Sequence, residues 1–201
     1  MTTLTVAPVL SKFLAPRGCD EIVARPRLFE RLHHGLGRMV TFVVAPSGYG
    51  KTTLLASFAH DAELPLCWLT LDERDALPRV FLEDLAGALA VRFPQFGAAT
   101  QSCLREGAAT GAERRVIDVF TSEVQRTIPE GVLLVLDDAQ SILNTPAQRI
   151  LELLITCVPE NLKLVVAARA DFSLPGLPRM LANRTAERLT AHDLQFTDEE
   201  G

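Results

Sequence analysis

At 201 residues, 48% of them hydrophobic and 22% charged, the chain suits one large α/β domain, or one and a half ordinary ones, with a sizeable core, and disorder is excluded. A net charge of −5 argues against a dedicated DNA-binding surface. The charge is uneven, +3 over residues 1–39 and −8 over the rest, and the basic front suits either an anionic ligand or an ordinary solvated helix.

In chain order, the apolar, β-branched run MVTFVVA (residues 39–45) predicts a buried strand. It enters a loop, Pro46-Ser47-Gly48-Tyr49-Gly50, after which a helix starts at Lys51 and carries Leu54, Leu55, Phe58 and Ala59. A second strand, LCWLTL (66–71), follows Pro65 and holds Trp68 as a core residue. Phe81, Leu85, Ala88 and Leu89 mark an amphipathic helix that ends near Phe93-Pro94. The Gly/Ala/Thr-rich stretch 97–111 predicts a loop with one helical turn, and Val116, Val119, Phe120 and Val124 a further helix. GVLLVLDDAQ (131–140) is an apolar run opening onto two aspartates. Thr145 then stands at an N-cap and Pro146 at the first helical position of a helix with Ile150, Leu151, Leu154 and Ile155. A fourth strand, LKLVVAA (162–168), ends at Arg169; a short helix after Pro178 and an edge strand near 187–189 complete the pattern. Strands alternating with helices predict a three-layer αβα sandwich with a mainly parallel sheet, its ligand site at the carboxyl ends of the strands of Val44 and Leu136.

Cysteines 19, 67, 103 and 157 have no metal-ligand spacing; Cys67 and Cys157, inside apolar runs, read as core residues of a reduced, cytoplasmic protein. The N-terminus lacks a positively charged leader region, and no apolar stretch exceeds strand length, so neither a signal peptide nor a membrane span is expected. His33 and His34 are adjacent and point apart on a helix, and with His60 and His192 they read as surface or structural residues.

Residues 45–52, APSGYGKT, fit the phosphate-loop pattern GxxxxGK(S/T), with Ala45 in place of the first glycine. Such short motifs also arise by chance, but this one follows a predicted strand and opens a predicted helix, as its chemistry requires. Gly48 and Gly50 let the backbone turn its N–H groups inward at a helix N-terminus, where a phosphate binds. Lys51, one of only three lysines, adds a point charge, and Thr52 offers a hydroxyl to Mg²⁺. Pro46, Ser47, Tyr49 and Thr53 complete the candidate nucleotide-binding set. Asp137 is the candidate second Mg²⁺ ligand and Asp138 the candidate base for a water; taken alone, the pair also fits a solvated turn. Arg169, at the next strand end, is placed to sense a γ-phosphate, although a surface arginine there is also common.

Taken together, KFLAPR (12–17), IVARPRLFERL (22–32), VVAPSGYGKTTLLASFA (43–59), CWLTLDERD (67–75), LLVLDDAQ, LVVAARAD and the closing DLQFTDEE resemble the ATPase domain of MalT-type, LuxR-family transcriptional activators. These are similar to the wider signal-transduction ATPases with numerous domains, P-loop NTPases of the STAND class. The resemblance implies an ATP/ADP-binding switch with Mg²⁺ and slow hydrolysis, self-associating when ATP-bound in a longer protein. It puts Val23 and Arg25 on the adenine side of the site and makes Arg169 the γ-phosphate sensor, with Ala168 standing where serine is common. Asp72 and Asp75 match an acidic loop of the family without an assigned role. It also divides the chain into an N-terminal segment (1–38), a P-loop core (39–190) and the start of a linker (191–201). Family members continue to a DNA-reading helix-turn-helix, so DNA contact is expected only through further domains. The alternatives are a free-standing P-loop ATPase or kinase, and a scaffold that nucleotide merely stabilises. A GTPase is disfavoured by the missing NKxD base reader.

Overall fold

The apolar runs form the strands of a parallel sheet, and the central ones are buried over nearly their whole length because helices cover both faces. The computed structural model describes residues 10–16, 25–106, 112–197 and 200. Its strands are β1 (Val40–Val44), β2 (Leu66–Thr70), β3 (Val132–Asp137), β4 (Leu162–Ala168) and β5 (Ala186–Thr190), all parallel, in the order β2-β3-β4-β1-β5. Every residue of β1 and β3 is buried, whereas the edge strands β2 and β5 are only partly so. Glu187 and Arg188 on β5 charge its outer edge, which discourages pairing with another sheet. The helices are α1 (Pro26–Leu36), α2 (Lys51–Asp61), α3 (Pro78–Arg92), α4 (Ala98–Glu106), α5 (Ala112–Thr127), α6 (Pro146–Cys157) and α7 (Leu177–Ala182).

The two-residue period of the strands divides the core into two halves. Phe42, Leu69, Leu134 and Val166 face α3, α5 and α6 and pack with Leu85, Phe120 and Leu151. Val43, Trp68, Val135 and Val165 face α1 and α2 and pack with Leu28, Leu55 and Phe58. This is the αβα sandwich that the alternation predicts, with all five strands parallel. Trp68 is a core residue, its indole N–H donating to Thr70 Oγ1 at 2.9 Å.

Three local expectations are corrected. Within the stretch 97–111, residues 98–106 form a regular helix, α4, and residues 107–111 lie outside the described ones. The reason is remote in sequence. The buried carboxylate of Glu123 on α5 accepts the N–H groups of Gly97, Ala99 and Thr100 and the Thr100 hydroxyl, at 3.1, 3.0, 2.9 and 2.6 Å. It thereby caps a helix whose own sequence is a weak helix former. Cys157, at the end of α6, is half-buried rather than core. Thr145 stands at the N-cap of α6 with Pro146 following, but its hydroxyl donates to Ile142 O at 2.7 Å instead of capping the helix.

Candidate functional site

The chain leaves β1 at Ala45, whose N–H extends the ladder to Ala168 O at 3.2 Å. Ala45 is fully buried and has no positive φ, so the position needs a small residue and not specifically glycine. The next five residues are exposed. Gly48 (φ 84°) and Gly50 (φ 72°) adopt the left-handed conformation that side chains rarely tolerate, and a Cβ at either would meet no atom within 4 Å. Backbone conformation, not crowding, therefore demands glycine at both, and their lack of side chains leaves the loop open to close approach by a ligand. Among the described residues, the N–H groups of residues 47–53 donate to no protein acceptor, and α2 starts without a side-chain cap. Seven consecutive donors without a protein acceptor at a helix N-terminus suit an anion.

Lys51 lies across this loop, its ammonium donating to Ala45 O at 2.8 Å and Pro46 O at 2.9 Å. Burial pushes its pKa down, and the charge of Arg169 adds to the effect, against the opposing pull of Asp137 and Asp138. Thr52, in the first turn of α2, donates its hydroxyl to Asp137 Oδ2 at 2.7 Å. Two strand ends separated by β4 are thus joined side chain to side chain. Asp137 is buried, and burial raises its pKa more than the Thr52 bond lowers it, with the Asp138 charge raising it further. A buried amine with a lowered pKa beside a buried carboxylate with a raised one is a site short of counter-charge. A phosphate suits the first and a divalent cation the second, so the donor set fits a Mg²⁺–nucleotide, with Thr52 and Asp137 able to hold the metal.

Asp138 follows in the left-handed region (φ 57°, ψ 37°), a strained backbone for a non-glycine residue of the kind that gathers at functional sites. Its N–H donates to Asp137 Oδ1 at 2.9 Å, while its own carboxylate accepts from Gln140 Nε2 at 2.8 Å. Gln140 Oε1 in turn accepts the Arg169 N–H at 3.0 Å. Arg169 is exposed beyond the end of β4. Sequence reasoning missed Gln140. Its closeness to Asp138 is local, but its contact with Arg169 depends on the pairing of β3 with β4.

The residues of an AAA ATPase domain match the chain over 24–166, most of its described length. The chain belongs to the AAA ATPase domain family. Among curated relatives it is similar to the HTH-type transcriptional regulator MalT of Cronobacter sakazakii, 26% identical over 197 residues, covering 94% of this chain and 21% of that protein. MalT of Yersinia enterocolitica is 28% identical over 159 residues, covering 79% of this chain and 17% of that one. The chain thus spans about a fifth of the length of these relatives. Among solved structures, the Walker-type ATPase of Pyrococcus abyssi superposes with a TM-score of 0.56 at 13% identity over 91% of this chain and 57% of its own. A signal transduction ATPase with numerous domains and a tetratricopeptide repeat sensor, from Pyrococcus horikoshii, gives 0.56 at 16% identity, covering 92% of this chain and 25% of that one. Both share the fold. Membership of an ATPase domain family implies a nucleotide site.

The basic front of this AAA ATPase domain has a different use from an anion site. Arg25 donates to Leu194 O at 2.7 Å and Gln195 O at 2.9 Å, with its guanidinium 4.5 Å over the Phe196 ring. Arg27 donates to Asp193 O at 2.9 Å, and Arg31 pairs with Asp193 and with Glu187 at 2.6 Å. The cations tie α1 to the closing segment of the domain. Val23 lies outside the described residues. Lys12, Asp75 and Asp84, to which the sequence gives no role, form a buried ionic cluster that fastens the N-terminal segment to α3. Asp72 and Asp75 also close a reciprocal capping box on the turn before α3. His33 pairs with Asp61 at 2.7 Å on the surface. Among the described residues no group of His, Cys, Asp and Glu forms a metal cluster, and no helix is long and apolar enough to cross a membrane.

Proposed function

We propose that the chain is an ATP/ADP-binding switch domain with slow ATP hydrolysis, the regulatory module of a transcriptional activator of the MalT kind. The observation that carries the reading is the bond from Thr52 to Asp137 beside a loop of unpaired N–H donors. When bound, the nucleotide supplies the phosphoanhydride bond and, as ATP, the γ-phosphate that ADP lacks. The N–H groups of residues 47–53 and Lys51 would hold the phosphates, and Thr52 and Asp137 the Mg²⁺. Asp138 would orient a water as base, and the segment of Val23 and Arg25 would border the adenine. Arg169, whose charge is felt at Lys51, would engage only the third phosphate.

A contact made by ATP alone biases a two-state equilibrium towards whichever form makes it. A charged contact worth ~1.5–3 kcal/mol corresponds to a shift of roughly 10- to 150-fold. That suffices for a switch without rapid turnover. Residues 191–201 would lead into further domains, through which an ATP-bound longer protein self-associates and contacts DNA. Parallel titrations with ADP and a non-hydrolysable ATP analogue, on the wild type and Arg169→Ala, test the proposal. Arg169→Ala should narrow the ATP-over-ADP preference and spare ADP affinity. Equal losses for the two nucleotides would make Arg169 structural and remove the sensor from the switch.

A further inference from the structure

Gln140 hydrogen-bonds to both candidate catalytic strand ends. It lies half-buried in the turn after β3, between Ala139 and Ile142, both fully buried, and its carbonyl accepts the Leu143 N–H at 3.2 Å. The backbone from which it projects is therefore fixed. Its amide uses both ends: Nε2 donates to Asp138 Oδ1 and Oε1 accepts from Arg169 N. The amide has no freedom to flip, because reversal would set oxygen against carboxylate and NH₂ against N–H. On the far side, the pairing of β4 with β1 ends at Ala168, so the Arg169 N–H lies just past the ladder and takes its direction from Gln140. On the near side, Asp138 sits in a strained left-handed backbone, and Gln140 fixes which way its carboxylate faces.

We infer that Gln140 is a positioning residue that couples the Asp138 carboxylate to the root of Arg169, so that these groups respond to the phosphate number as a unit. The inference rests on the switch reading above and deepens it by naming the link between the candidate base and the candidate sensor. A displacement of the Arg169 backbone pulls on Oε1 and rotates the amide away from Asp138. A change of partner at Asp138 loosens the Arg169 N–H in the same way. Neither group needs to touch the other, because the rigid planar amide spans them.

The test is a double-mutant cycle of Asp138→Asn and Arg169→Ala, read as the ratio of affinities for a non-hydrolysable ATP analogue and for ADP, with Mg²⁺, by calorimetry. It is run with Gln140 intact and again on top of Gln140→Met, which has similar length and neither hydrogen-bonding end. With Gln140 intact, the two substitutions should depart from multiplicativity by about fivefold or more. On Gln140→Met they should multiply within about twofold, and Gln140→Met alone should leave ADP affinity within about twofold of wild type. Thermal melts check that each variant is folded. Should Gln140→Met fail to fold, Gln140→Glu replaces it, since that side chain still accepts from Arg169 N–H but sets a second carboxylate against Asp138. A cycle unchanged by either substitution, in a wild type that binds both nucleotides, overturns the coupling and leaves the switch intact. A wild type that binds neither nucleotide overturns both.

Discussion

Two of the three lysines are buried to nearly the same degree, 7% exposed at position 12 and 8% at position 51, yet their surroundings are opposite. Lys12 faces carboxylates: Asp75 and Asp84 at 2.6 Å and Asp72 at 3.5 Å. Burial alone would lower its pKa, but the hydrogen bonds and charges of Asp75 and Asp84 prevail and raise it. Lys51 donates only to two backbone carbonyls, and for it burial prevails and the pKa falls. The same contrast divides two helix starts. The first N–H groups of α4 converge on the Glu123 carboxylate, whereas those of α2 have no protein partner among the described residues. A buried charge that is neutralised in place holds a fold together. One left short of counter-charge beside free donors is prepared for a partner from outside.

The strongest way to break the comparison is Lys12→Met. It strands Asp75 and Asp84 in the interior, and should cost about 3–5 kcal/mol of stability by urea denaturation. A loss below about 1 kcal/mol would reduce the cluster to a surface-like pair. Because the folded-state pKa of Lys12 lies above its ordinary 10.5, the wild type holds this contribution below pH 10.5 and loses it as the pH rises through the folded value.

Glu123→Gln should come next, at about 1–3 kcal/mol, because the amide keeps one acceptor oxygen of the two that serve these four donors and turns its NH₂, itself a donor, towards the others. Burial would raise the Glu123 pKa, but the bonds from Thr100, Ala99 and Gly97 together hold it below its ordinary 4.5. The wild type therefore has this stability in full above pH 4.5 and loses it as the pH falls through the folded value, a limb that Glu123→Gln should lack. Parallel acid titrations followed by circular dichroism would distinguish the two. Smallest of all should be Lys51→Ala, because its ammonium donates to two backbone carbonyls and its loss breaks no salt bridge; stability should change by less than about 1 kcal/mol. A large loss there would place Lys51 in the same class as Lys12.

The sheet, most helices and the glycine turn before α2 were legible because their signals are local. Continuous apolar runs mark buried strands, and GYGKT between a strand and a helix marks a turn that needs left-handed glycines. The approach of Thr52 to Asp137 was legible at one remove, since both lie at carboxyl ends of parallel strands. What stayed hidden depends on pairs far apart in the chain. The cap that makes α4 a helix comes from α5, and the partners of Lys12 lie 63 and 72 residues away. Gln140 bridges 29 residues to Arg169, and Arg25 bridges 169 to Leu194. No periodicity reports such contacts; composition showed only that the front is basic, and the fold shows that the closing segment engages Arg25, Arg27 and Arg31 while Lys12 goes to Asp75 and Asp84.

The most direct test of the central claim is calorimetric titration of Mg²⁺-ATP analogue and Mg²⁺-ADP into the wild type and Lys51→Ala, with melting curves on the same samples. Loss of a desolvated, charge-assisted contact of ~1.5–3 kcal/mol should weaken binding roughly 10- to 150-fold while the two melting curves coincide. Unchanged nucleotide dissociation constants in a folded Lys51→Ala variant would contradict the account.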